Sequence, residues 1–155
     1  MASKVEVEVE MKSKADKVWE NIRESATVFP KALSNHFESI EVLEGDGKSV
    51  GSVRLVKYQP QPGISAEITK PAKEKLEKVD AVNKSIIYSV IEGDVLKCYK
   101  NFKGCLHVSP KGDGSLVKWW CEFDKASEDI PNPDFLRDFA VKSFHDLDAY
   151  IFGNP

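Results

Sequence analysis

The sequence predicts an α+β domain of one strand, two short helices, six further strands and a long C-terminal helix. Three observations predict it. Val5-Glu6-Val7-Glu8-Val9-Glu10-Met11 alternates without a break, the period of a strand with one buried and one wet face. Between Phe37 and Lys125, alternating runs recur between turn-forming residues, the layout of an antiparallel meander. From Asp134 to Phe152 the period becomes helical, with Phe135, Phe139, Ala140, Ser143, Phe144, Leu147 and Ile151 on one stripe. At 155 residues the chain fits one domain, over residues 1–155, large enough to bury a core.

After the first strand, Ala15, Val18, Trp19 and Ile22 fall at helical spacing, with Ser13 as N-cap and Asp16 three residues on. A second short helix is expected around Thr27–Leu33, weakened by Pro30. Phe37–Glu44 reads as a strand. It ends at Gly45-Asp46-Gly47-Lys48-Ser49-Val50-Gly51, where three glycines in seven positions permit positive φ angles. Ser52–Tyr58 is the next strand. A loop beginning Gln59-Pro60-Gln61-Pro62-Gly63 runs on to Pro71. The strands Lys73–Val79, Ser85–Ile91, Lys97–Val108 and Leu116–Lys125 bring the total to seven. Their joints (Asp80 to Asn83, Glu92-Gly93-Asp94 and Pro110 to Gly114) all have turn chemistry. Pro131 and Pro133 introduce the last helix. Its aromatic stripe admits two readings: a filled core, or a concave apolar pocket between a curved sheet and the helix.

Composition removes several function classes. With 41% hydrophobic and 30% charged residues the chain reads as a soluble globular protein, and a net charge of −3 argues against nucleic acid as a partner. No apolar run approaches the roughly 20 residues of a membrane span. Met1-Ala2-Ser3-Lys4 leads straight into a strand, so no secretory leader is expected, and Ala2 excludes N-myristoylation. Cys98, Cys105 and Cys121 lack metal-type spacing and read as buried free thiols, which fits a cytoplasmic location. His36, His107 and His145 are scattered, with no HExxH, so no metal is expected; they read as surface or core-edge residues. No Gly-x-Ser-x-Gly elbow occurs. Gly47-Lys48-Ser49 looks like the end of a phosphate-binding loop, but Val42 stands where the first glycine belongs and a strand follows instead of a helix. In the last strand Val117, Trp119, Cys121 and Phe123 are expected inward. Trp120 then shares the outer face with Lys118 and Glu122, as an ordinary surface residue or a partner contact.

Several segments together carry a resemblance. They are Leu43 to Arg54 (LEGDGKSVGSVR), Glu74 to Asp80 (EKLEKVD), Asn83 to Asp94 (NKSIIYSVIEGD), Tyr99 to Lys103 (YKNFK) and Gly114 to Trp119 (GSLVKW). In this order, over nearly the whole chain, they resemble the plant Bet v 1-like superfamily of START-like and pathogenesis-related class 10 proteins, most closely its major latex protein branch. The resemblance implies a helix-grip fold: a seven-stranded curved antiparallel sheet around the C-terminal helix, two short helices closing one end, and a large cavity. It places Arg54, Val56, Tyr58, Glu74, Leu76, Ile86, Tyr88, Val90, Phe102, Val117, Trp119, Phe135, Phe139 and Phe144 toward a ligand. Arg54 matches the position where related abscisic acid receptors carry a carboxylate-binding lysine; the alternative is an internal Arg54–Glu74 ion pair.

Departures from the resemblance restrict it. Gln59-Pro60-Gln61-Pro62-Gly63 and Ile91-Glu92-Gly93-Asp94 stand where the hormone receptors have their Ser-Gly-Leu-Pro-Ala gate and His-Arg-Leu latch. No lysine here is matched to that of the related norcoclaurine synthases. The resemblance implies an intracellular plant carrier for a small hydrophobic molecule (a lipid, steroid or specialised metabolite), with a part in defence. It implies no cofactor, no stable membrane insertion, and a monomer or weak homodimer. The alternative is a cofactor-free cyclase or isomerase of terpenoid or alkaloid metabolism, with Glu74, Tyr88 and Arg54 as acid/base groups.

Overall fold

A computed structural model describes residues 3–61 and 70–153. The chain forms β1 (Ser3–Met11), α1 (Ala15–Arg23), α2 (Ser25–Ala32), β2 (Phe37–Glu44), β3 (Val53–Tyr58), β4 (Ala72–Asp80), β5 (Ser85–Glu92), β6 (Tyr99–Lys111), β7 (Gly114–Lys125) and α3 (Phe135–Gly153). The strands make one seven-stranded sheet in the order β1-β7-β6-β5-β4-β3-β2, and every neighbouring pair is antiparallel. Hairpin connections account for the order from β2 to β7, while β1 pairs across with the last strand. The sheet is thus the expected one.

Period-two alternation decides which side chains face the concave side. Val5 lies opposite Cys121, Val7 opposite Trp119 and Val9 opposite Val117, so the valines of β1 meet the apolar face of β7 while its glutamates point to water. On β7, Trp120 is half-buried on the outer face, with the ammonium groups of Lys4 and Lys118 each 5.6 Å from its ring centroid. Both lysines are within cation–π range of the indole.

In β6 a bulge changes the phase. Tyr99 is buried against Phe123, and strict alternation from Tyr99 would turn Phe102 outward. The register shifts between Lys100 and Lys103, where Asn101 takes a φ of 54° and its side-chain amide donates to Asp124 at 2.9 Å. The extra residue returns Phe102, Gly104, Leu106 and Val108 to the inner face, where all four are buried.

Several expected boundaries move. Ser13 does not cap α1: its hydroxyl and backbone N–H both donate to Asp148 of α3, at 2.6 and 2.9 Å, and Lys14 takes the cap position. The second helix runs from Ser25 to Ala32 instead of Thr27 to Leu33, because the Glu24 carbonyl accepts from the N–H groups of Thr27 and Val28 and starts the turn early. Pro30 lies inside this helix, in its last turn. The strand expected from Lys97 begins at Tyr99, since Asp94–Lys97 forms a 3₁₀ turn. It also runs on to Lys111, and β7 starts at Gly114, which leaves Gly112-Asp113 as a two-residue hairpin turn. The loop segment from Pro62 to Thr69 lies outside the described residues.

The stripe on α3 has two halves. Leu147 and Ile151, toward its C-terminus, are packed in the core, with Leu147 wholly enclosed. Phe135, Leu136, Phe139, Ala140, Ser143 and Phe144, toward its N-terminus, border a cavity. Polar clasps hold the helix across the sheet. Asp148 receives the backbone N–H groups of Lys12 and Ser13, and the buried His36 ring lies 3.0 Å from Asp146 with its edge on Phe139.

Candidate functional site

Between the concave sheet and the N-terminal half of α3 is a cavity of about 190 Å³. The stripe on α3 therefore resolves as pocket at one end of the helix and filled core at the other. Tyr58, Tyr88, Val90 and Phe139 lie inside the fold yet are only half-buried, because they face the cavity. One end is aromatic: Phe37 has ring centroids of Phe29 at 5.4 Å, Tyr58 at 5.4 Å and Phe139 at 5.6 Å. These tilted and edge-on contacts suit the ring quadrupoles and keep that wall rigid.

A buried charge pair, Arg54 with Glu74, sits in this largely apolar lining. Register places Arg54 of β3 directly opposite Glu74 of β4, both pointing inward. Arg54 Nη2 is 3.4 Å from Glu74 Oε1, and the Tyr58 hydroxyl donates to Glu74 Oε2 at 2.8 Å. Arg54 Nη1 donates to the Ser25 hydroxyl at the start of α2. Both carboxylate oxygens are thus engaged, and the guanidinium joins β3, β4 and α2. Arg54 Nε is left without a partner. The internal Arg54–Glu74 ion pair is present in the structure. Burial in a low-dielectric interior, reinforced by the Glu74 charge, pushes the Tyr58 phenol well above its ordinary range. Tyr88 moves the same way, first by burial and then by Glu74, with the Trp119 indole N–H opposing it as a hydrogen-bond donor. Both phenols therefore stay protonated at neutral pH.

The glycine-rich turn closes beside one end of the cavity. Gly45, Gly47 and Gly51 have φ of 78°, 82° and 91°, as their clustering predicts. The amides a phosphate would need are already used. Asp46 Oδ1 accepts the N–H groups of Lys48 and Ser49, each at 2.8 Å, and Ser49 Oγ donates to Oδ2 at 2.8 Å. Those bonds, the backbone ones first, hold the Asp46 carboxyl well below the usual aspartate range. Lys48 reaches Glu24 at 2.6 Å, linking the turn to the α1–α2 junction. The turn is an aspartate-capped corner, and its Gly-Lys-Ser is no phosphate cradle.

Thirteen of the fourteen side chains expected at a ligand border the cavity: Arg54, Val56, Tyr58, Glu74, Leu76, Ile86, Tyr88, Val90, Phe102, Trp119, Phe135, Phe139 and Phe144. Val117 does not. It is fully enclosed, with Val9 of β1 and Val108 of β6 as its register partners. Sequence reasoning missed the wall supplied by α1, α2 and β2: Ile22, Arg23, Ser25, Phe29, Leu33, Phe37 and Ile40. The apolar faces of these elements were visible, but nothing in their periodicity says what they face. Gly47, Lys48, Gln59 and Gln61 border the same end of the cavity. Among the described residues no group of three or more His, Cys, Asp or Glu is placed to hold a metal, and no helix is long and apolar enough to cross a membrane.

A curved sheet gripping one long helix, with an apolar cavity between them, defines a helix-grip protein. The chain belongs to the pathogenesis-related protein Bet v 1 family, whose profile it matches over residues 1–154. It is similar to MLP-like protein 423 of Arabidopsis thaliana, with 45% identity over 145 residues, 94% of this chain and 91% of that protein. MLP-like protein 34 of the same plant is 34% identical over 95% of this chain but is longer, and the chain spans 46% of it. Among solved structures, major latex-like protein 151 of Panax ginseng superposes with a TM-score of 0.83 at 25% identity, covering 96% of this chain and 97% of that one. Norcoclaurine synthase of Thalictrum flavum, solved with dopamine and hydroxybenzaldehyde, shares the fold with a TM-score of 0.78 at 22% identity over 100% of this chain and 89% of that one.

Proposed function

We propose that this chain is a binding or carrier protein for a small, largely apolar molecule held in the cavity between the sheet and the N-terminal half of α3. The observation that carries the proposal is the cavity wall. Half-exposed aromatic and aliphatic side chains face inward, and the buried charges of Arg54 and Glu74 are set against each other. Inward-facing apolar surface left unpacked inside a fold favours an apolar occupant. A ligand that covers about 300 Å² of such surface gains roughly 7 kcal/mol gross before ordering and association costs, so binding is expected to be broad and no tighter than micromolar unless a directed polar contact adds to it. The glycine-rich turn and the loop beginning at Gln59 would flank the entrance, as Gly47, Lys48, Gln59 and Gln61 on the cavity border suggest.

Native mass spectrometry of protein purified under mild conditions tests the proposal, together with displacement of a fluorescent hydrophobic dye by fatty acids, sterols and plant metabolites. A co-purified small molecule or competitive displacement is the expected result. A cavity from which no lipid or metabolite displaces dye would overturn it. The cyclase or isomerase alternative predicts a change in product rate or stereochemistry when reactive terpenoid or alkaloid intermediates meet the protein, lost in Glu74→Gln. Equal rates with and without protein are expected instead.

A further inference from the structure

We propose that Gly104 and Tyr88 together set how large a molecule the cavity admits, Gly104 by giving the Tyr88 ring a place to lie flat against the sheet. The inference rests on the binding reading above and deepens it. Gly104 of β6 is the direct register partner of Tyr88 of β5, and both belong to the inner face. The φ of Gly104 is not positive, so no backbone constraint calls for glycine there. What calls for it is space. A β-carbon built on Gly104 would sit far inside van der Waals contact with Cζ, Cε1 and the hydroxyl oxygen of Tyr88. The far end of the ring therefore rests on the Gly104 α-carbon, leaning across β6 toward Trp119 of β7.

The ring has few other places to go. Phe102 and Leu106 flank Gly104 on the inner face of β6, and Leu76 lies opposite Tyr88 on β4, all three buried. The β6 backbone closes the side below, which leaves the cavity lumen. Any side chain at position 104 lifts the phenol into the space a ligand would take. Overpacking a filled core strains the fold, whereas here the displaced ring has a void to enter, so the change falls on cavity capacity more than on stability. The bulge at Asn101 is a precondition, because it brings Gly104 to the inner face.

The test compares wild type, Gly104→Ala, and Gly104→Ala combined with Tyr88→Ala, using 8-anilinonaphthalene-1-sulfonate as the probe and a crystal structure of each. Gly104→Ala is expected to bind the dye about tenfold more weakly, with the ring standing in the lumen and the cavity reduced. The double variant, which has no ring to displace, is expected to bind the dye more tightly than Gly104→Ala and to show a cavity larger than that of wild type. A merely structural glycine would give a lower melting temperature that Tyr88→Ala does not repair. Wild-type affinity in Gly104→Ala, or a ring left in place while β6 moves, would overturn the inference. If the wild type itself fails to bind the dye or any other apolar probe, the binding reading fails; the position of the ring in Gly104→Ala still decides whether Gly104 sets the cavity volume.

Discussion

Glu74 holds two partners on the neighbouring strand β3, Arg54 and Tyr58, and its removal leaves an uncompensated guanidinium in an apolar interior. Glu74→Ala is expected to lose about 3–5 kcal/mol of stability in urea unfolding, the usual result of stripping one member from a buried pair. Replacing both members, as Arg54→Met with Glu74→Leu, should recover most of that loss. A double variant no better than the single one would show that the Ser25 and Tyr58 hydrogen bonds matter more than the charge pair. Asp46 makes a separate, pH-dependent contribution. Its folded-state pKa lies below the ordinary 3.8, so the stabilisation is fully present above pH 3.8 and is lost as pH falls below it through the folded value. Asp46→Asn should therefore be less stable than wild type at neutral pH, with the gap closing in strong acid. Amide exchange at Lys48 and Ser49 measures it, and a gap constant across that window would refute the cap's role.

At the scale of elements, α3 separates packing from function along one helix. Leu147 is wholly enclosed, so Leu147→Ala is expected to cost about 2–5 kcal/mol, the transfer of the side chain plus the hole it leaves. Phe139→Ala removes a larger side chain, yet its ring already borders empty space, so it should cost less stability while changing dye affinity more. Urea unfolding and dye titration on the same two variants check the contrast, and equal stability losses would contradict it. The strands show what was legible and what was not. The valine–glutamate alternation of β1 is a local pattern, readable from neighbours two residues apart, whereas the inward phase of Arg54, Glu74 and Tyr88 was implied by the resemblance to the Bet v 1 family. The bulge in β6 is not local in that sense. Asn101 enters a left-handed conformation against Asp124 of another strand, and that contact rephases everything after it.

For the molecule as a whole, an unfilled cavity trades stability for the capacity to bind. A molecule that occupies it only in the folded state, at about 100 times its dissociation constant, adds roughly 2.7 kcal/mol. For a chain of this size each kcal/mol is worth about 2–4 °C. Saturating ligand should thus raise the melting temperature by roughly 5–10 °C, as differential scanning fluorimetry would record. A ligand that displaces dye without moving the melting temperature is bound elsewhere.

The order of strands and helices and the polar outer faces were determined by the sequence alone, because hydrophobic period encodes which face of an element avoids water. The resemblance to a known family is what pointed thirteen cavity-bordering residues inward. The likeness of its segments to the Bet v 1 family added the grip of sheet on helix. Tertiary structure decided what periodicity cannot express: that α1 and α2 supply a wall of the cavity, that Ser13 serves α3 instead of capping its own helix, and that Arg54 meets Glu74. It also decided that a glycine on β6 makes room for a tyrosine on β5. Those outcomes depend on distances between residues far apart in the chain, and volume in a fold is a property of neighbours in space.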